Sequence, residues 1–485
     1  MLPPSKNKPV IPIIISGGSG SRLWPLSSNT RPKPFIKLAD GHSLLQKSFI
    51  RANKIANVTE ILTVTNQELY FHTQHEYREI TSNLKTSYIL EPAPRGTASA
   101  IAAAALHLSK SVDENTVLCI IPADHVIKDE EAFTQAINHA CTLAEKNYVV
   151  TLGIKPETAE TGYGYLEVGT EITGNSQSFH VQRFIEKPDA AHAQQYSQSG
   201  RHLWNSGIFV FNLKTILHEF KLNAFDLYDA VEKCLHHSEP HKSYLKLNSD
   251  FTKLPEISID YCLMEKSANL VTVASDFGWN DVGSWKAMSE FVEPDNEGNR
   301  ILGNALLHDT NNCYIHGSER LIGTVGVSNL AIIDTPDALL VLNRDHTQSV
   351  KQLVHDLKKQ NIDGIESQRE VHRPWGFYHV IGTGKGFKIK LIHVKPGESL
   401  SLQLHHHRHE HWVIVSGTAL ITKDENQFTV AANESTFIRA GEKHRLENPG
   451  TTDLIIVEVQ CGDLLSETDI VRFEDRYDRI IKNKE

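Results

Sequence analysis

The stretch Val10-Ile11-Pro12-Ile13-Ile14-Ile15-Ser16-Gly17-Gly18-Ser19-Gly20-Ser21-Arg22-Leu23-Trp24-Pro25 decides how the first half of the chain is read. A continuous apolar run, β-branched apart from Pro12, reads as a buried strand, and the glycines after it read as a turn whose backbone amides lie open. Further apolar runs follow at Ile61 to Thr65, Thr86 to Leu90, Val117 to Pro122 and Tyr148 to Leu152. Helical patterns separate them at Ser43 to Ile55, Thr97 to Lys110 and Glu130 to Lys146. This alternation predicts an α/β layer of parallel strands joined by crossover helices, as far as about Phe211.

The glycine turn has a chemistry of its own. Its amides can face a phosphate chain closely, and Arg22 and Lys33 can neutralise charge moving onto a leaving pyrophosphate. The spacing fits neither the dinucleotide G-x-G-x-x-G nor the Walker pattern, so dehydrogenase and P-loop chemistry lose support. Asp124, in Pro122-Ala123-Asp124-His125, follows a buried strand where α/β sheets bind ligands. Asp281, in Trp279-Asn280-Asp281-Val282-Gly283-Ser284-Trp285, is a second acid. Two hard oxygen donors suit a Mg²⁺ bridging phosphates, although either aspartate alone would also suit a turn or helix cap.

Composition bounds the rest. At roughly 100 to 200 residues per domain, 485 residues predict about two to four domains. Hydrophobic residues at 40% and charged residues at 22% leave enough apolar surface for real cores. Lys and Arg number 49 against 59 Asp and Glu, a net charge of −10 that disfavours a nucleic-acid partner. Six cysteines without a C-x-x-C pair, and no 18-residue apolar span, point to a reducing, cytoplasmic setting with no membrane partner. The polar segment from Glu293 to Asn299 marks a boundary. Beyond it, Leu302 to Asn343 reads as short strands without a repeat regular enough for a solenoid, and Ser349 to Lys359 as one helix. From Arg373 onward the text is all short strands, which predicts a small β-barrel or jelly roll with the stretch from Ser466 wrapping it. The division expected is 1–293, 294–365 and 366–485.

Taken with Glu91-Pro92-Ala93-Pro94-Arg95-Gly96-Thr97-Ala98, Thr161-Gly162-Tyr163-Gly164-Tyr165, Glu186-Lys187-Pro188, Trp204-Asn205-Ser206-Gly207 and Ile259-Asp260-Tyr261, these segments resemble the sugar-nucleotide pyrophosphorylases. The wording is most similar to mannose-1-phosphate guanylyltransferases fused to a type II mannose-6-phosphate isomerase domain, over Ile13 to about Arg479. The resemblance implies a Rossmann-like mixed sheet, a small β-rich connector and a C-terminal cupin jelly roll. It implies that Gly17, Gly18, Gly20 and Arg22 hold the GTP phosphates, that Lys33 assists them, and that Asp124 and Asp281 bind Mg²⁺. Glu91, Arg95 and Gly96 would border guanine. Gly164, Glu186, Lys187 and Asn205 would receive mannose 1-phosphate. The sugar phosphate oxygen would then attack the α-phosphorus in line and pyrophosphate would leave.

Five histidines fall within seven residues in Leu404-His405-His406-His407-Arg408-His409-Glu410-His411-Trp412. On a strand Gln403 and His405 share the inward face, while Leu402 and Leu404 take the other, and Glu410 follows after a turn. The spacing resembles the two cupin motifs laid over Gly397 to Gly417 and the stretch ending at Asn448, with Gln403 in place of a histidine and Arg439 in place of a proline. An amide oxygen still donates to a metal, so Gln403, His405, Glu410 and His444 form a mixed N and O site for Zn²⁺, with Mn²⁺, Co²⁺ or Fe²⁺ open. His407 is the substitute ligand if the register differs; His406, His409 and His411 read as ordinary polar histidines. Such a site suits interconversion of mannose 6-phosphate and fructose 6-phosphate through an enediol, with the base unassigned. The family implies roles for Arg408 and Arg373. This chain departs from it with His409 in place of a small residue and with Tyr477-Asp478-Arg479 in place of Tyr-Gly-Arg. Two alternatives stand: nucleotidyl transfer with another base and sugar, and a barrel that only binds or regulates. Association into a homo-oligomer stays open.

Overall fold

The computed structural model describes residues 8–18, 20–28, 31–80, 82–241, 243–318, 320–360 and 370–477. Ser19, the expected boundary at 365/366, and Asp478 with Arg479 lie outside the described residues. The chain forms two compact units, Met1–Ile365 and Glu366–Glu485.

In the first unit the Val10–Ser16 strand lies near the middle of an eleven-stranded sheet. Val10 and Ile14 point into one apolar layer, while Ile11 and Ile13 point into the other, which is why the run has no polar phase. Glu60–Asn66 pairs parallel on one side and Val117–Pro122 on the other, with Lys85–Glu91 beyond Glu60–Asn66. The chain therefore moves outward in one direction and then returns to the opposite side of its first strand. That reversal leaves a crevice at the carboxyl ends of Val10–Ser16 and Val117–Pro122. The sheet is mixed, as the resemblance implies, and goes beyond the parallel strands that the strand-helix alternation alone predicts: His202–Asn212 is antiparallel to both Val117–Pro122 and Val149–Ile154. After Val149–Ile154 the chain turns back through the paired Tyr165–Glu171 and Ser178–Ile185 strands before any helix forms. The Ala-rich Gly96–Leu108 helix is buried along most of its length against one face of the sheet.

The connector corrects one expectation. Arg300–Leu302, Tyr314–His316 and Leu330–Asp334 stack in parallel, as do Ala305–His308 and Ile322–Val325, so the strands form successive turns of a short β-solenoid. Arg300 sits opposite Tyr314 and Tyr314 opposite Ala331, and these unequal offsets hide the repeat from the sequence. Its core is continuous with the crevice. Leu23, Ile36, Val282 and Trp285 share one apolar cluster with Tyr314, Ile333, Val350 and Val354.

The second unit is a sandwich of a six-stranded and a five-stranded sheet with antiparallel pairing throughout, the cupin jelly roll. Trp375, Ile392, Trp412, Ile421 and Leu446 fill its interior. Among the described residues no helix is long and apolar enough to cross a membrane.

Candidate functional site

Ile15 and Pro122 are register partners, and the Ala123 amide donates to the Ile15 carbonyl at 3.0 Å, so the glycine turn and Asp124 leave the sheet side by side. Gly20 has a φ of 62°, and a Cβ there would come within 2.5 Å of the Lys33 Cβ, so only glycine lets the turn close against that lysine. The Lys33 ammonium donates to Asp124 Oδ2 at 2.8 Å and also to the Asp281 carbonyl. Burial pushes the Asp124 carboxyl up, but Lys33 and His125 outweigh this and leave it below the usual carboxylate range. Asp281 Oδ1 accepts from the Tyr163 hydroxyl at 2.9 Å and from the Gly283 amide at 3.0 Å. Trp285 Nε1 donates to the Trp24 carbonyl at 3.1 Å, which ties the Asp281 loop to the glycine turn. Gly20, Arg22, Lys33, Asp124 and Asp281 thus line one cavity of about 320 Å³, with Lys351 as a further lining residue. Two carboxylates facing a cavity with anion-binding groups fit a hard divalent ion. A larger groove of about 550 Å³, lined by His139, Lys155 and Asp276 among others, brings together no such set.

Glu91 ends the Lys85–Glu91 strand on the same carboxyl edge of the sheet, and Arg95 stands at the N-terminal boundary of the following helix. Glu91 is 7% exposed, and neither its Oε1 nor the Arg95 Nε has a hydrogen-bond partner among the described residues. Burial alone pushes the Glu91 carboxyl up to about 8. The native chain therefore keeps a proton that the unfolded chain releases near 4.5, so Glu91 costs stability increasingly as pH rises from about 4.5 to about 8. Glu91→Gln, which cannot ionise, is expected to raise Tm relative to wild type more at about pH 9 than at about pH 5. Thermal melts at the two pH values check this, and an equal effect at both would contradict it.

A third group forms around Asn205. Its Nδ2 donates to Asp260 Oδ1 at 3.0 Å, its Oδ1 accepts from Thr151 Oγ1 at 2.9 Å, and its backbone N–H donates to the Gly164 carbonyl at 2.8 Å. A Cβ on Gly164 would lie 2.7 Å from Glu186 Oε2, so the backbone here passes close to that carboxylate, which would have to shift for any larger residue. Lys187 pairs with Glu186. Burial, then Glu186, push Asp260 up to about 6. Asp260, Tyr163 and Lys351 had no role in the sequence reading. Asp260 and Tyr163 lie inside quoted motifs, whereas Lys351 gives no local signal.

In the jelly roll Gln403 and His405 face inward, and Gln403 stands opposite His444 in the ladder. Glu410 follows the bend at His406 and His407. It is the third residue of the Arg408–Ser416 strand, on the buried face shared by Arg408 and Trp412. The preceding strand ends at His405, which leaves His406 and His407 exposed on the connecting bend, so His407 is not in reach as a substitute ligand. His409 and His411 point outward. His405, Glu410 and His444 offer ligand atoms within 4.8 Å of one another. The His444 Nδ1 proton goes to the Glu442 carbonyl at 2.9 Å, and its Nε2, which faces Glu410 Oε2 at 3.7 Å, has no hydrogen-bond partner among the described residues. That leaves an imidazole lone pair aimed at the cluster, the arrangement of a metal ligand. Burial disfavours the Glu410 charge, but His405, His444 and Arg408 more than offset it and hold the carboxyl well below the usual range. Gln403 Oε1 accepts from Ser401 Oγ at 3.0 Å.

Beside the cluster, Arg373, Lys390, Arg408, Glu458, Glu467 and Arg472 line a small cavity. Lys390 Nζ lies 3.5 Å from both Glu458 Oε2 and Glu467 Oε1. Gln460 Nε2 links Glu458 Oε2 at 2.9 Å to Glu410 Oε1 at 3.2 Å. Burial, then Glu410, raise the Glu458 carboxyl. The sequence reading missed Lys390 and Glu458, although both stand in phase with the buried apolar residues of their strands.

Residues 11–297 match the nucleotidyl transferase family, 303–357 the MannoseP isomerase/GMP-like beta-helix domain and 360–475 the mannose-6-phosphate isomerase C-terminal family. The xanthan biosynthesis protein XanB of Xanthomonas campestris pv. campestris is 44% identical, covering 97% of this chain and 99% of its own. A mannose-1-phosphate guanylyltransferase of Klebsiella pneumoniae is 40% identical over 97% of this chain and 100% of its own. The alginate biosynthesis protein AlgA of Pseudomonas aeruginosa is 41% identical over 97% of each. A crystal structure named mannose-1-phosphate geranyltransferase, from Thermus thermophilus, superposes with a TM-score of 0.64 at 31% identity, over 72% of this chain and 99% of that one.

Proposed function

Because the chain belongs to the nucleotidyl transferase family, joined to a mannose-6-phosphate isomerase C-terminal domain, we propose that this enzyme transfers GMP from GTP to mannose 1-phosphate, giving GDP-mannose and pyrophosphate. The observation that carries the reading is the meeting of the glycine turn, Lys33, Asp124 and Asp281 around one cavity at the point where the strand order reverses.

The reaction needs position and charge more than covalent help from the protein. Gly17, Gly18 and Gly20 offer amides to the phosphates, and Arg22 and Lys33 take up charge as the bond between the α-phosphorus and its bridging oxygen breaks. Asp124 and Asp281 would hold Mg²⁺, which when bound neutralises phosphate charge. Glu91, with Arg95 and Gly96, borders the base, and its protonated carboxyl has an unpartnered oxygen for a polar edge of the ring. Gly164, Glu186, Lys187 and Asn205 receive the sugar phosphate, with Asp260 steadying the Asn205 amide. The boundaries 1–293, 294–365 and 366–485 separate this half, the solenoid and the barrel.

A second activity is supported by the His405, Glu410 and His444 cluster beside a cavity rich in arginine and lysine: interconversion of mannose 6-phosphate and fructose 6-phosphate. These three residues with Gln403 would hold Zn²⁺, Mn²⁺, Co²⁺ or Fe²⁺, which when bound polarises the oxygens at C1 and C2. Arg373 and Arg408 suit the sugar phosphate. Glu458, buried beside Lys390, is the carboxyl group suited to move a proton between C1 and C2.

With GTP, Mg²⁺ and mannose 1-phosphate, the purified chain is expected to release pyrophosphate, and a nucleotide panel should show GTP preferred. No release with any divalent metal rejects the transfer, and preference for UTP or dTTP sustains the rival base. Conversion of fructose 6-phosphate to mannose 6-phosphate by the same chain tests the isomerase, and its absence leaves the barrel as a binding module.

A further inference from the structure

The solenoid has no assigned part in either reaction, yet it shares its core with the crevice. The Val350–Lys359 helix that closes it buries Val350 and Val354 in the same cluster as Leu23, which lies between the glycine turn and Trp24. This packing fixes the first turn of the helix beside the Ser21–Leu23 turn. Lys351 follows Val350 and points away from the shared core, and it lines the cavity that holds Gly20, Arg22, Lys33, Asp124 and Asp281. None of Gly164, Glu186, Lys187 and Asn205 lines it, so Lys351 lies on the nucleotide side.

Charge balance gives this position a use. The two aspartates would offset a bound divalent ion, and the Lys33 ammonium is already shared between Asp124 and the Asp281 loop. Arg22 is then the remaining cation of the glycine turn for a triphosphate that brings several negative charges. A lysine held by a separate packed element adds a point charge whose location does not depend on the turn's own conformation. We infer that Lys351, carried by the solenoid's closing helix, binds the polyphosphate that leaves as pyrophosphate, so the solenoid completes the nucleotide site. This rests on the nucleotidyl-transfer reading.

Steady-state kinetics on the full chain, with Lys351→Ala and Lys351→Arg, tests it. Lys351→Ala is expected to raise KM for GTP about tenfold, and KM for pyrophosphate in the reverse reaction by a similar factor, through loss of one charge-assisted contact. KM for mannose 1-phosphate stays within about twofold, and Lys351→Arg restores most of the loss. Unchanged KM for GTP and pyrophosphate in Lys351→Ala overturns the inference. So does a rise shared equally with mannose 1-phosphate, or one accompanied by a fall in Tm and not rescued by arginine, since either is what a structural role would give. Calorimetric titration with magnesium pyrophosphate separates the two claims. If wild type binds it but transfers no guanylyl group, the transfer reading falls, and weaker binding by Lys351→Ala still supports the lysine. If wild type turns over and Lys351→Ala binds equally well, the lysine assignment alone falls.

Discussion

Asp124→Ala is expected to lower guanylyl transfer by at least about 100-fold, while fructose 6-phosphate conversion by the same preparation stays within about twofold of wild type. Two losses combine in the first activity. One of the two cavity carboxylates suited to Mg²⁺ disappears, and the Lys33 ammonium, whose side chain is only 9% exposed, loses its carboxylate partner at 2.8 Å. An uncompensated buried cation redirects itself toward whatever anion is near, so the lysine no longer stands where the leaving group needs it. Asp124→Asn keeps the shape and an acceptor oxygen but removes the charge. It should lose transfer nearly as fully while keeping the wild-type Tm. The residues proposed for the second activity lie in a different compact unit with its own core, which includes Trp412 and Ile456. Parallel loss of both activities in a folded variant would contradict independent sites.

Why some of this was legible and some was not follows from the range of the interactions. The Val10–Ser16 strand announces itself because both of its faces are buried, and its observed ends coincide with the apolar run. Gln403 and His405 were placed on the inward face by alternation alone, and their neighbours Leu402 and Leu404 are the more exposed pair. The same alternation, resumed at Arg408 after the bend at His406 and His407, brings Glu410 onto the buried face with Arg408 and Trp412. Alternation also carried unused information. Lys390 shares its phase with Ile392 and Val394, and Glu458 with Leu454 and Ile456, and a charge in phase with a buried stripe marks a polar site within a core.

Other features depend on contacts between segments far apart in the chain. Tyr163 reaches Asp281, and Trp285 reaches the Trp24 carbonyl, across separations that no local pattern encodes. The solenoid escaped because its turns differ in length, although its apolar residues were visible one strand at a time. Its role in closing the crevice could be seen only once Val350 and Leu23 were found in one cluster.

If the barrel holds the proposed metal, His444→Ala is expected to remove that metal and the proposed isomerase activity together, with guanylyl transfer unchanged. His444 is 1% exposed, its Nδ1 proton is anchored on the Glu442 carbonyl, and its Nε2 lies 3.7 Å from Glu410 Oε2. The ring is thus fixed in one tautomer with its lone pair directed at the cluster, and alanine leaves a gap that no neighbouring imidazole can fill, since His406 and His407 lie on the exposed bend. Outer partners of metal ligands cost roughly 10 to 100-fold in affinity when removed, so loss of a ligand itself should exceed about 100-fold. Metal content of the as-purified chain, read by elemental analysis beside the fructose 6-phosphate assay, gives the comparison. His406→Ala should retain both metal and activity because its side chain is outside the cluster. If His444→Ala kept its metal, or His406→Ala lost it, the ligands would have to be sought on another face of the barrel.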